Sequence, residues 1–219
     1  MIKLVKNQFL WLGIILILGL FLRLYKIDSP VADWHSWRQA DTAAVSRNFY
    51  HEGFNPLLPR YDNMIGEAGN YVPNPGRFRF VEFPIYNSLV YFAYLLFGGV
   101  NEVLARVVSI IFSLGSIIFI FLIARKYFGV ICAFLSAFLF ATLPFNVYFS
   151  RTVLPEPSLV FFSLGMFYFV NRWIFENTTK LFILGMGFTA LAFLTKPTAV
   201  FYLLPLFYSY YQKEGQFWP

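Results

Sequence analysis

The stretch from Asp33 to Gly53, DWHSWRQADTAAVSRNFYHEG, gathers three acids, two arginines and both histidines of the chain. Carboxylates set among guanidinium and imidazole groups are the residue types of proton transfer and of anion binding. The loop that follows adds Arg60, Arg77, Arg79 and Glu82, and a distant segment, SRTVLPEP, adds Arg151 and Glu156. Asp41 has two compatible readings, a general base or a helix N-cap before the Ala-rich turn TAAV. Glu156, between Pro155 and Pro157, either carries chemistry or starts a helix and favours its dipole. Arg38, Arg47 and Arg151 read as interfacial side chains or as phosphate ligands. Asp33, His35 and Gln39 form polar support around them. A divalent cation between His35, Asp33 and Asp41 lacks any metal-ligand spacing, so no metal or other cofactor is assigned. His51, beside Glu52, reads as solvated loop.

The elements that must position these groups are apolar. The 219-residue chain is 58% hydrophobic and 22% aromatic with only 13% charged residues, and its mean hydropathy is +0.61. That composition lies outside soluble globular domains and indicates an integral, multi-pass membrane protein. The formal charge of +6 therefore reads as a topology signal rather than as nucleic-acid affinity. Cys132, the single cysteine, excludes disulfides within the chain and cysteine-based metal sites. The start, MIKLVKNQFLWLGIILILGLFLRLY, has a basic head and no small-residue cleavage site, so it reads as an uncleaved first span with a cytoplasmic N-terminus.

Six runs are expected to span: Phe9 to Leu24, Val103 to Ala124, Val130 to Phe149, Ser158 to Ile174, Leu181 to Leu194 and Ala199 to Tyr211, the last two divided at Thr195 to Pro197. The run from Pro84 to Gly99 is too short and reads as an interfacial helix. With it in the interface, Arg125, Lys126, Arg172, Lys180 and Lys213 all fall on the cytoplasmic side. Residues 26–102 then form one long external loop with two membrane-surface helices, about Asp41 to Tyr50 and Pro84 to Phe97, joined by a Gly-, Pro- and Asn-rich irregular segment. The sequon Asn177-Thr178-Thr179 falls in the cytoplasm on this topology. The chain as a whole, 1–219, reads as one all-α transmembrane domain.

Four segments carry a family resemblance: HSWRQADTAAVSRNF (His35 to Phe49), EFPIYNSLVYFAYLLFGGVNEVLARVVSIIFSLGS (Glu82 to Ser116), SRTVLPEPSLVFF (Ser150 to Phe162) and ALAFLTKP (Ala190 to Pro197). In order and spacing they resemble the polytopic GT-C glycosyltransferases, bacterial family 39 type, related to protein O-mannosyltransferases and lipid A aminoarabinose transferases. The resemblance implies transfer of a sugar from a polyprenyl-phosphate donor to an acceptor lipid, glycan or protein at the outer face of the bacterial cytoplasmic membrane. It implies Asp41 as base with Glu82 and Glu156 as further catalytic acids. Arg38, Arg77, Arg79, Arg106, Arg151 and Lys196 are then the candidates that offset charge on the departing phosphate. Three departures are visible: Arg38 and Gln39 stand where members carry an Asp-Glu pair, Glu82-Phe83-Pro84 stands where some carry Lys before Pro-Pro, and Glu156 stands where Asp is more usual. Family chains continue through further spans, so 1–219 is expected to be an N-terminal portion. The rival expectations are a transporter or lipid flippase, which calls for polar breaks at mid-membrane and inverted repeats, and a non-catalytic scaffold.

Overall fold

Long apolar runs without internal proline fold as helices, since each buries its backbone polarity in its own hydrogen bonds. The computed structural model describes residues 7–31, 33–64 and 73–214. Two parts of the expectations above, the basic head at residues 1–6 and loop residues 65–72, lie outside these. Among the described residues every regular element is helical: α1 (Gln8–Leu24), α2 (Ser36–Glu52), α3 (Ile85–Phe97), α4 (Glu102–Thr142), α5 (Pro144–Phe149), α6 (Glu156–Glu176), α7 (Thr179–Thr195), a 3₁₀ turn (Pro197–Tyr202) and α8 (Leu203–Glu214). In the loop between α2 and α3, Arg60 and Phe78 form an isolated antiparallel bridge. Two helices, α4 and α6, are long and apolar enough to cross a bilayer, while α1, α3 and α7 are apolar but shorter.

Gly129 divides α4. At φ +84° it leaves the helical region, a conformation glycine adopts without steric cost. Beyond it the chain folds back, so that Phe121 meets Phe134 at 5.2 Å between ring centroids. Ala133, Ala137 and Ala141 are buried in one cluster with Ile117, Phe121 and Leu12 of α1; their spacing of four puts a small-residue stripe on one face, which lets helices approach closely. The two runs expected at 103–124 and 130–149 therefore exist as antiparallel arms of one hairpin. The second arm ends at Thr142 rather than Phe149. Pro144 cannot donate to the next turn and holds Leu143 extended, after which α5 begins anew. The run expected from Ala199 to Tyr211 likewise starts as the 3₁₀ turn and becomes α-helical only at Leu203.

Helices α6 and α7 lie against each other through Gly165, where an added Cβ would strike the Phe188 ring. Helices α2 and α3 pair through Asn87, whose Nδ2 donates to the Thr42 carbonyl at 2.6 Å and to Ser46 Oγ at 3.2 Å. Helix α2 begins five residues earlier than expected. Its N-cap position is His35, at φ 58°, so Asp41 lies in the second turn and does not cap it.

One residue not singled out in the sequence ties the bundle together. Arg23, in the last turn of α1, is fully buried. It donates to Gly19 O and Ala141 O at 2.9 Å each, to Ser113 Oγ at 3.1 Å and to Ser150 Oγ at 2.7 Å. The Ala141 carbonyl, with Phe140 O at 3.4 Å, belongs to the last turn of α4, whose carbonyls lack helical partners. Arg23 thus caps a helix from outside. The signal was present: Arg23 sits one turn after Gly19, whose missing side chain leaves it room.

Candidate functional site

Four charged side chains from four separate segments meet at one end of the bundle. Arg38 is in the first turn of α2, Glu82 lies just before α3, Glu156 opens α6, and Lys196 follows α7. Arg38 Nη2 is 3.2 Å from Glu82 Oε2 and 3.8 Å from Glu156 Oε1. Lys196 Nζ is 2.6 Å from Glu156 Oε1 and 3.9 Å from Glu82 Oε2. Two acids and two cations alternate, which balances charge in a place where isolated charge is costly. Glu82 is the most enclosed, at 10% side-chain exposure. Burial pushes its pKa up, Lys196 and Arg38 oppose that, and Glu156 adds to it. The second carboxylate oxygen of Glu156, Oε2, is buried and accepts no hydrogen bond from the described residues.

Asp41 stands beside this group rather than in it. One turn along α2 from Arg38, its Oδ2 accepts from Arg79 Nη1 at 2.9 Å. Arg79 also lies over the Tyr61 ring and shares a small crevice with Glu82, Thr42 and Asn87. Gln39 is fully buried. Its Nε2 donates to Asp33 Oδ1 at 2.6 Å and to Trp34 O at 2.9 Å, while its Oε1 accepts from the Val153 amide at 3.1 Å. It therefore fastens the start of α2, which carries Arg38, to the segment that leads into Glu156. The His35 ring rests between Trp34 and Phe149.

The remaining candidates go elsewhere. Arg77 joins Glu52 at 2.5 Å and Asp62 at 3.8 Å. Arg106 is buried, and its guanidinium straps the loop after α1 by donating to Ile27 O at 2.8 Å and Ser29 O at 2.5 Å. Arg151 packs over Tyr25 and Tyr148. Their charges looked equivalent in sequence, but only backbone placement decides which reach the acids. Among the described residues no three of His, Cys, Asp and Glu stand together as metal ligands.

Two apolar cavities flank the four-residue group. One, of about 280 Å³, is lined by Ser113, Phe140, Phe145, Phe149, Pro157 and Glu156. The other, of about 370 Å³, lies between Leu57, Phe80, Phe83, Phe193 and Glu82. Each cavity has one of the two acids in its wall.

An apolar helical bundle with two helices long enough to cross a bilayer and a paired-charge site at one end fits an integral membrane protein. Residues 82–213 match the model of the dolichyl-phosphate-mannose-protein mannosyltransferase family, and the chain belongs to that family. It is thereby a membrane glycosyltransferase of the GT-C superfamily, whose sugar donors are carried on polyprenyl phosphate. Comparison with curated proteins and with solved structures gave no match. The matched span holds Glu82, Glu156 and Lys196, whereas Arg38 and Asp41 precede it.

Proposed function

We propose that the protein moves a sugar from a polyprenyl-phosphate donor to a hydroxyl-bearing acceptor at the external face of a bacterial cytoplasmic membrane, as a family 39 type enzyme. The observation that carries this reading is the convergence of Arg38, Glu82, Glu156 and Lys196 in a chain of this family. The antiparallel course of the α4 arms, α6 and α7 supports a multi-pass arrangement. The site lies at one end, and Lys126, bonded to Asn171, lies near the Gly129 turn at the other. Basic residues at that second end favour it as cytoplasmic.

The acceptor oxygen attacks the anomeric carbon. The bond from that carbon to the phosphate oxygen breaks, and its electron pair leaves with the polyprenyl phosphate. The acceptor's proton passes to a carboxylate, for which Glu156 Oε2 is the best placed because it is held in position by Lys196 on Oε1 and has an open lone pair. Asp41, clamped by Arg79, is the alternative base. Lys196 and Arg38 offset the charge that grows on the departing phosphate, and the prenyl tail follows the cavity that has Glu156 in its wall. Reconstitution in vesicles with a radiolabelled polyprenyl-phosphate sugar tests this. Glu156→Gln is expected to cut sugar release and transfer roughly 100- to 10,000-fold, the range for losing general acid–base catalysis. Full turnover in that variant removes Glu156 from the reaction.

A further inference from the structure

A third cavity, of about 320 Å³, lies at the opposite end of α2 from the charged site and is lined by Asn48, Glu52, Phe54, Asn55, Leu58 and Arg60, with Phe49 beneath. Its volume falls within the roughly 300–1,000 Å³ usual for small-molecule sites. Asn48 and Glu52 lie ten and fourteen residues beyond Arg38 on the same helix, about 15 and 21 Å along the axis at ~1.5 Å per residue. A ligand here is therefore too far away to be the reacting sugar.

The lining specifies the chemistry of that ligand. The two ionised groups of the lining face each other, Arg60 Nη1 at 3.5 Å from Glu52 Oε2, and Arg77 also holds Glu52 at 2.5 Å, so the charges here are already engaged with one another within the protein. The Asn48 amide nitrogen already donates to Arg60 O and Asp62 Oδ1, so the groups that can meet sugar hydroxyls are the further lone pairs of the Glu52 carboxylate as acceptors and the further N–H groups of the Arg60 guanidinium as donors. The Phe54 ring stacks on Tyr91, with centroids 4.8 Å apart and planes within 6°, and meets Phe49 at 5.2 Å and Phe92 at 5.5 Å. Held by these three rings, it remains 40% exposed, which leaves part of the ring to meet the C–H groups of a pyranose. Asn55 Oδ1 and the Leu57 amide, 3.1 Å apart, fix the turn that follows Phe54. A packed, partly exposed aromatic ring beside polar groups whose charges are already paired matches a neutral saccharide better than a lipid tail.

We propose that this cavity is a saccharide-binding subsite that holds a distal, non-reacting sugar of a glycan-bearing acceptor. The proposal rests on the glycosyl-transfer reading for the word acceptor, but not for the binding itself. The test uses the purified full-length protein in detergent and saturation-transfer difference NMR with neutral mono- to trisaccharides of mannose, glucose, galactose and N-acetylglucosamine. At least one trisaccharide is expected to bind, with Phe54→Leu and Leu58→Trp each weakening it tenfold or more. Leu58→Trp fills the cavity without removing an ion pair, and it is expected to leave donor hydrolysis unchanged, which shows that the variant is folded. If no saccharide binds, or if Leu58→Trp binds as the parent does, the proposal is overturned. Binding without any sugar transfer from the lipid donor would sink the transferase reading alone. Transfer with an acceptor KM insensitive to both variants would sink the subsite alone.

Discussion

The protein holds two networks built from the same residue types, and they differ in how they are made. The outer one joins Arg47 to Asp62, Arg60 and Arg77 to Glu52, and Arg77 to Asp62, all from the stretch 47–77. Its members are largely exposed, as the 43% and 52% of Arg47 and Asp62 show. The inner one draws Arg38, Glu82, Glu156 and Lys196 from positions up to 158 residues apart into a half-buried meeting of helix ends. Coulomb attraction at ~4 Å is worth about 1 kcal/mol in water and about 4 kcal/mol at an effective dielectric constant of ~20. Identical pairs are thus weak, screened supports in the loop and strong constraints between the helices. Charge-pair chemistry alone does not mark a site, whereas convergence from separate elements with partial burial does.

The sharpest way to break the contrast is at Lys196, which touches both inner acids. Lys196→Met is expected to lower transfer roughly 100- to 1,000-fold, the scale of losing one preorganised charge stabiliser, measured as kcat with a polyprenyl-phosphate sugar in vesicles. An equal loss in donor affinity with kcat intact would instead make it a binding residue. Asp41→Asn should cost less, about 10- to 100-fold, the size of one hydrogen bond to a charged group. A loss as large as that of Glu156→Gln would return the base role to Asp41.

The networks should also respond to pH in opposite directions. Glu82 has a raised pKa, so the folded state holds its proton more tightly than the unfolded chain. Its contribution is full below the ordinary glutamate range and is lost as pH rises through the raised folded value. Glu52 has a lowered pKa, caused first by its hydrogen bond with Arg77. Its contribution is full above the ordinary range and is lost as pH falls through the lowered value. Melting curves in detergent across acidic pH should therefore show Glu82→Gln flattening the weakly acidic descent and Glu52→Gln flattening the acid limb. Identical profiles for the two variants would erase the distinction. The smallest effect is expected from Arg47→Ala, about 0–1 kcal/mol in stability with transfer unchanged; a large loss of activity would show that the outer network reaches the reaction.

Hydropathy made the bundle legible. The expected runs reappear as α1, the two α4 arms, α6 and α7 because apolar length dictates helices in a low-dielectric medium. The start of α2 was not legible. Trp37, Arg38 and Gln39 break apolar periodicity, and His35 is an N-cap residue that makes no side-chain capping hydrogen bond. Of the candidate residues, Glu82, Glu156, Arg38 and Lys196 converge as a group that no local pattern announces. Arg77 and Arg79, two residues apart, were interchangeable in sequence, yet one enters the outer network and the other holds Asp41. Arg77 sits at φ 53°, a turn no residue-type rule at that position foretells. Arg106 read as a candidate phosphate ligand and Arg23 was not singled out, yet both serve to close backbone carbonyls.

Arg23 also sets an order of assembly. Arg23 sits in the last turn of α1, and before its partners exist its charged head can reach a polar surface along its own aliphatic stem. Its final partners at Ser113, Ala141 and Ser150 lie 90, 118 and 127 residues further along the chain. The first helix therefore reaches its final seating only after both arms of the Gly129 hairpin have been synthesised and have closed.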